Sequence, residues 1–293
     1  MTTSVDRVES LRQQALAKMR ANEMESAVEL LDAALAIATD DEAIELLVLN
    51  KAGVMISMEK SSPEVQQLPQ ILMRQRNARH RYLAAYYLRR KFEAEKDYKR
   101  ATFYAKIALE TAESSGDTEW KAEALFALAK LAVFESRIPE AVDLYTRVLD
   151  LTPDDEAHLL RRSFTFQNLG YTQMQAGDPA HGIQLILQAL EMMERAGIEG
   201  YAAESWIDLC FGYLETGELD EARHYGEIGL EHATEVRQVR NAHFLLGEVA
   251  YKQGDTAAAE LHFDHLATFY PDFPHLKNLL FALDLRGMVN FKL

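Results

Sequence analysis

A short pattern of small and apolar residues returns at nearly constant intervals along most of this chain, and it leaves few folds open. A small residue is followed by apolar or small residues four, seven and eight positions on. The pattern reads Ala101, Ala105, Ala108, Leu109, then Ala141, Tyr145, Val148, Leu149, then Gly182, Ile186, Ala189, Leu190. It returns as Ala222, Gly226, Gly229, Leu230 and as Ala259, Phe263, Leu266, Ala267. First members lie 40, 41, 40 and 37 residues apart. These offsets put all four side chains on one face of an α-helix, and small residues there let a second helix approach closely. Self-similarity at such a period marks stacked helical repeats.

A second helix is expected before each of these, since Leu125 and Leu128, Phe166 and Leu169, Trp206, Leu209 and Tyr213, and Leu246 and Ala250 keep a helical stagger. Gly177, Gly217 and Gly254 fall at the turn between paired helices, where a left-handed residue ends a helix. Asp178 and Asp255 follow as N-cap candidates. Pro139 and Pro179 suit a first helical turn, and Pro153 and Pro271 suit a helix stop. Ala27, Leu31, Ala34 and Leu35 repeat the pattern 74 residues, or two periods, before Ala101. One degenerate unit is therefore expected between them, with helices near 42–58 and 64–80 and a turn at Ser61-Ser62-Pro63-Glu64. Pro271 and Pro274 bracket a break, and 275–290 reads as a final helix covering the last apolar face. Alternating β-branched runs are absent. The expected fold is all-α: an α-α superhelix (solenoid) of about seven antiparallel helix pairs plus a C-terminal capping helix. It divides into degenerate repeats over 1–81, regular repeats over 82–273 and a cap over 274–293, in one continuous array.

At this point the sequence resembles the tetratricopeptide repeat superfamily. Leu246-Gly247, Gly254, Ala259, Phe263 and Pro271 match its pattern, as do Trp206, Leu209, Tyr213, Gly217 and Ala222. Leu169-Gly170, Gly177 and Ala189 match in a third unit, and Ala141, Tyr145 and Pro153 in a fourth. The period of 37–41 exceeds the usual ~34. Longer turns such as Ser114-Ser115-Gly116-Asp117 and Gly197-Ile198-Glu199-Gly200 account for the excess, and the lengthening is similar to that in sensor regions of some bacterial transcription activators. The resemblance implies a right-handed superhelix whose first helices line a concave groove. Carried across, the groove positions are Tyr86, Phe126, Phe134, Phe164, Tyr171, Met174, Phe211, Leu214, Phe244 and Tyr251, with Arg90, Lys130, Gln167, Glu215 and Glu248 between them. Aromatic and methionine side chains concentrate at contact surfaces, so the groove reading is a site for an amphipathic helix or extended peptide. Alternatively several of these residues pack inside the array or against the cap. The paired Lys and Asn of a chaperone-type carboxylate clamp are absent from the matching positions.

Charge restricts the partners. The chain carries 31 Lys+Arg against 46 Asp+Glu, a net −15, which argues against nucleic acid as the ligand. Yet residues 74–106 hold 11 basic and 3 acidic residues, a local +8. Arg89, Arg90 and Lys91 are candidates for charged docking of an acidic partner. The alternative is a solvated face paired with acids such as Asp40, Asp41 and Glu42. No phosphate loop, zinc-protease motif or nucleophile elbow occurs. Cys210 adjoins a helix-core Leu209 and reads as a structural thiol. His262 and His265, with Asp264 or His275, are the best metal candidates, but they lack a clear third ligand, so no metal and no cofactor is expected. The first residues, Met-Thr-Thr-Ser, lack an apolar signal core, and no apolar run reaches the ~18 residues of a spanning helix. A soluble, cytoplasmic, non-catalytic scaffold or adaptor binding a protein or peptide is the leading expectation. The alternative is a regulatory sensor module that binds a peptide or small ligand and signals through a separate partner.

Overall fold

The computed structural model describes residues 4–74, 77–270 and 272–292. The opening Met-Thr-Thr, Arg76 of the basic stretch and Pro271 lie outside the described residues. The described residues form fifteen α-helices and no strand, in two compact units, Met1–Leu128 and Ala129–Leu293. The first unit holds α1 (Ser4–Arg20), α2 (Met24–Ile37), α3 (Asp41–Ser57), α4 (Pro63–Arg74), α5 (Ala78–Ala94), α6 (Tyr98–Ser115) and the start of α7 (Thr118–Phe134). The second holds the end of α7, then α8 (Ile138–Leu151), α9 (Leu159–Gln175), α10 (Pro179–Arg195), α11 (Ala203–Thr216) and α12 (Leu219–Glu231). It closes with α13 (Val236–Lys252), α14 (Thr256–His265) and α15 (Phe273–Leu280). In chain order these make the expected seven helix–turn–helix pairs and one further helix.

One hydrogen bond defines the turn in all seven pairs. The residue after a left-handed position donates its N–H to the carbonyl five residues earlier, as in Asp178 to Gln173, Glu218 to Tyr213 and Asp255 to Ala250. The left-handed residues are Asn22, Glu59, Lys96, Ser136, Gly177, Gly217 and Gly254, spaced 37, 37, 40, 41, 40 and 37 residues apart. The sequence revealed only the three glycines. The other four bear a Cβ at φ between 55° and 60°, a conformation that costs roughly 1–2 kcal/mol for a side chain. Asp97, Asp178 and Asp255 then accept the N–H three residues on, capping the second helix.

The repeated small-and-apolar positions do form the pair contacts. The first three members of every set, from Ala27, Leu31 and Ala34 to Ala259, Phe263 and Leu266, are buried. Backbone approaches backbone in the second unit between α9 and α10, where a Cβ on Gly182 would meet the Gly170 carbonyl oxygen at 2.5 Å. Gly247 likewise leaves room for the Phe263 ring, which would lie 2.3 Å from an added Cβ.

Two expected helices are shorter than read. The helix expected over 64–80 is described as far as Arg74 and does not reach 80, because Asn77 caps a new helix by accepting the N–H groups of Arg79 and His80. The final helix expected over 275–290 stops at Leu280. There Asp284 takes both the N–H and the guanidinium of Arg286, fixing a turn that a helix could not accommodate. Residues 281–292 therefore run on as an irregular segment with one helical turn at Arg286–Met288.

Two stability outcomes follow from this geometry, both measurable by urea unfolding monitored by helicity. Gly182→Ala drives a methyl into backbone and should lower stability by about 1–3 kcal/mol. Ser136→Gly relieves a left-handed side chain and should raise stability by up to about 1 kcal/mol.

Candidate functional site

In the second unit the first helix of each pair turns one face the same way. On α9 that face carries Phe164, Gln167 and Tyr171, on α11 Glu204, Asp208, Phe211 and Glu215, and on α13 Arg237, Asn241, Phe244, Glu248 and Tyr251. Steps of three and four residues keep each set on one side of its helix. The chain's own segment 281–292 lies across this face. Phe291, only 1% exposed, sits between Phe211 and Phe244 with ring centroids at 5.0 and 5.8 Å. Burying such a ring contributes about 1.5–3 kcal/mol.

Side chains of the face also hold the backbone of Phe291. Its N–H donates to the Tyr171 hydroxyl at 3.1 Å, and its carbonyl accepts from Arg237 at 2.9 Å and Asn241 at 2.6 Å. The Asn290 amide donates to the Val133 carbonyl at 3.0 Å. Lys292 passes over the Tyr171 ring at 4.5 Å and its ammonium reaches Glu204 at 2.8 Å and Asp208 at 2.7 Å. Arg237 grips Glu204 with two bonds of 2.8 and 2.9 Å, and Gln167 donates to Asp208 at 2.9 Å. Burial raises the Glu204 carboxyl, but Lys292 and Arg237 outweigh it and hold the pKa down to about 2. Burial prevails at Asp208, pushing its pKa up to about 6 against the pull of Lys292.

A second anchor lies toward the other end of the segment. Arg286 reaches Glu215 at 2.7 Å, the Leu214 carbonyl at 3.3 Å and Asp284 at 2.6 Å. Glu248 beside it has its pKa pushed up to about 7, by burial and by Asp284. Its Oε1 has no hydrogen-bond partner among the described residues. Tyr251 donates to the Phe281 carbonyl at 2.9 Å. An apolar cavity of about 300 Å³ remains between α13, α15 and the segment, lined by Phe244, Leu266, Phe273, Leu280, Val289 and Phe291.

The expected groove residues thus divide. Tyr171, Phe211, Phe244 and Tyr251 contact the segment, and Leu214 does so through its carbonyl. Met174 does not line the face: it packs against Gly182 and Gly212 inside the helix stack. Phe164 is half-buried, edge-on to Tyr201 at 6.0 Å, and Phe134 is half-buried under Lys130. In the first unit Tyr86 is half-buried among Tyr82, Tyr87 and the Arg89 guanidinium, and Phe126 is half-buried. Glu204, Asp208, Arg237, Asn241 and the segment itself escaped the sequence reading. Their signal was the 4-3-4 spacing of Glu204, Asp208, Phe211 and Glu215, which matches the aromatic positions.

Part of the basic stretch is paired. Arg89, 8% exposed, binds Glu93 at 2.6 Å, Lys91 binds Glu95 at 2.7 Å, and Arg90 donates to Ser57 at 3.2 Å. Arg74 meets Glu45, Arg81 meets Glu110 and Arg100 meets Asp97, so the acids that pair with the described basic residues include Glu45, Glu93, Glu95, Asp97 and Glu110. Cys210 is fully buried with its thiol pKa raised by desolvation. No helix among the described residues is long and apolar enough to cross a membrane.

His262 pairs with His243 of α13, Nδ1 to Nδ1 at 3.1 Å, while the His265 ring stacks on His243 at 4.1 Å. Asp264 turns away to Lys277. Among the described residues no three His, Cys, Asp or Glu side chains, these histidines included, are disposed to hold a metal ion. Burial, then His265 and His262, lower the His243 pKa from 6.5 to about 4. Burial and His265 lower His262 as well, with Glu227 opposing. Between pH 6.5 and about 4 the unfolded chain therefore binds protons on His243 that the folded chain does not, and this contribution to stability is lost as pH falls. His243→Gln should flatten the pH dependence of the thermal midpoint across that window relative to the unaltered chain. Parallel profiles would show that the histidines titrate alike folded and unfolded.

No protein-family model and no curated sequence matches the chain. Solved structures resemble it in fold. The apo form of RapI superposes with a TM-score of 0.70 at 16% identity, over 97% of this chain and 85% of RapI. A Rap protein complexed with Competence and Sporulation Factor gives 0.67 at 17% identity, over 94% of this chain and 80% of that one. A tetratricopeptide repeat protein from Parabacteroides merdae gives 0.58 at 14% identity, over 97% and 99%. By fold, this chain is a tetratricopeptide-type helical-repeat protein.

Proposed function

We propose that the chain is a non-catalytic binding module whose partner, a peptide or an extended protein segment, is held on the α9–α11–α13 face of the second unit. The observation that carries this reading is the capture of Phe291. Its N–H and carbonyl are both satisfied by groove side chains, from Tyr171, Arg237 and Asn241. Side-chain capture of main-chain groups, with pockets for alternate side chains, is how grooves read extended peptides. Fold likeness to a Rap protein complexed with Competence and Sporulation Factor is compatible with this use. The apolar cavity beside the segment, about 300 Å³, favours a second reading, in which a small apolar ligand is sensed at the same place. The internal pairing of Arg89 and Lys91 makes the basic stretch the weaker docking surface.

Peptides selected from a random displayed library against the full chain test the reading. Tyr171→Ala with Phe211→Ala should weaken the selected peptides at least tenfold, since aromatic anchors typically cost about 2 kcal/mol each on truncation. Helicity should be retained. Arg89, Arg90 and Lys91 changed together to Ser should alter mainly the association rate. Loss of binding in the basic triple alone would move the site to the first unit.

A further inference from the structure

The segment 285–292 is built like a ligand rather than like a repeat. It adds no α-helix to the array. Its outward side is open at Gly287 and Met288, the latter 83% exposed. Its own backbone supplies few hydrogen bonds, Met288 to Leu285 and Val289 to Arg286. The Arg286 and Lys292 N–H groups are met locally by Asp284 and Asn290, while the Phe291 N–H and carbonyl are met by the face it covers. The inward residues follow a recognition pattern, with Arg286 at one acidic site, Phe291 in an aromatic slot and Lys292 between Glu204 and Asp208.

The face beneath is strongly acidic. Without the segment, Arg237 would remain as the cation beside Glu204 and Asp208, and Lys252 as the one near Glu248. Glu204 and Asp208 are buried beside Lys292, and buried carboxylates left without a partner are costly, so an occupant that covers this pair has to bring positive charge there. An aromatic slot flanked by acids selects a cationic peptide over an acidic or neutral one. The net charge of the whole chain, −15, steers in the same direction.

We propose that segment 285–292 is a built-in stand-in for the partner. The site takes an extended basic peptide in which an aromatic residue is followed directly by lysine and preceded by arginine five positions earlier, and the chain's own segment blocks it until displaced. This rests on the reading of the face as a peptide site and names both its ligand chemistry and its control. A tethered competitor acts at an effective concentration of roughly millimolar, so a free peptide meets an apparent affinity reduced by that occupancy.

The test releases the segment after folding. A specific protease site is inserted at the exposed turn beside Leu283 in the full chain, and the folded protein is cut and diluted. The probe is a labelled synthetic peptide with the sequence of residues 284–293. The cut chain should bind it saturably and at least tenfold more tightly than the uncut chain, as removal of a tethered competitor requires. Probes with Phe291→Ala or Lys292→Glu should fail. Uncut Phe291→Ala/Lys292→Ala protein, if folded, should bind the unaltered probe as the cut chain does. A cut chain that keeps its segment on dilution and admits no probe, or loses helicity once the segment leaves, makes the segment a structural closure and overturns the proposal. So does equal binding by cut and uncut protein. A concentration-dependent dimer of the uncut chain that Phe291→Ala/Lys292→Ala abolishes would assign the segment to a second copy, and overturns it too. A random peptide library on the cut chain separates the two readings. Ligands lacking the aromatic–lysine pair that still require Tyr171 and Phe211 leave the peptide site standing and sink the stand-in. The absence of any ligand sinks both.

Discussion

Close backbone approach within each helix pair is the constraint on which everything else in this molecule rests. A single pair cannot bury both of its faces, so each must stack on a neighbour. The sequence meets this need by keeping alanine or glycine where a second helix crosses. At Gly170 and Gly182 the separation leaves no room for a methyl group. That inward economy leaves the opposite face of the first helices to larger side chains. The aromatic and charged residues on α9, α11 and α13 are therefore at liberty to serve binding.

The fold was legible in the sequence because it depends on periodic, local rules. Ala141, Gly182, Ala222 and Ala259 revealed the register, and Gly177, Gly217 and Gly254 revealed the turns. The remaining turns were hidden since Asn22, Glu59, Lys96 and Ser136 adopt the same backbone with residues that carry no conformational signature. The break at Asn77 was also hidden, because an N-cap inside a helix-compatible stretch competes with helix continuation at nearly equal strength.

The site was only half legible. Tyr171, Phe211 and Phe244 could be placed on one face by spacing alone. Nothing local indicated that residues 281–292 would leave the helix and cross that face. The bonds from Phe291 to Tyr171 and from Lys292 to Glu204 span 120 and 88 residues, and contacts at such separation obey no short-range period. Met174 shows the reverse problem: it shares the spacing of the groove residues, yet Gly182 and Gly212 open a hole in the stack that its flexible side chain fills.

Repeat arrays ordinarily couple nearest neighbours, so their stability is close to a sum over adjacent units and their ends can fray one pair at a time. The clasp formed by Asn290, Phe291 and Lys292 departs from that scheme. It fastens the end of α7 through Val133, α9 through Tyr171, α11 through Glu204 and Asp208, and α13 through Arg237 and Asn241. Four layers of the second unit thus share one knot, and the loosening of any one of them strains the others. Such a unit is expected to melt in a single concerted step while the clasp is closed and as a graded, layer-by-layer process once it opens. The same few residues set both the occupancy of the face and the cooperativity of the scaffold that presents it.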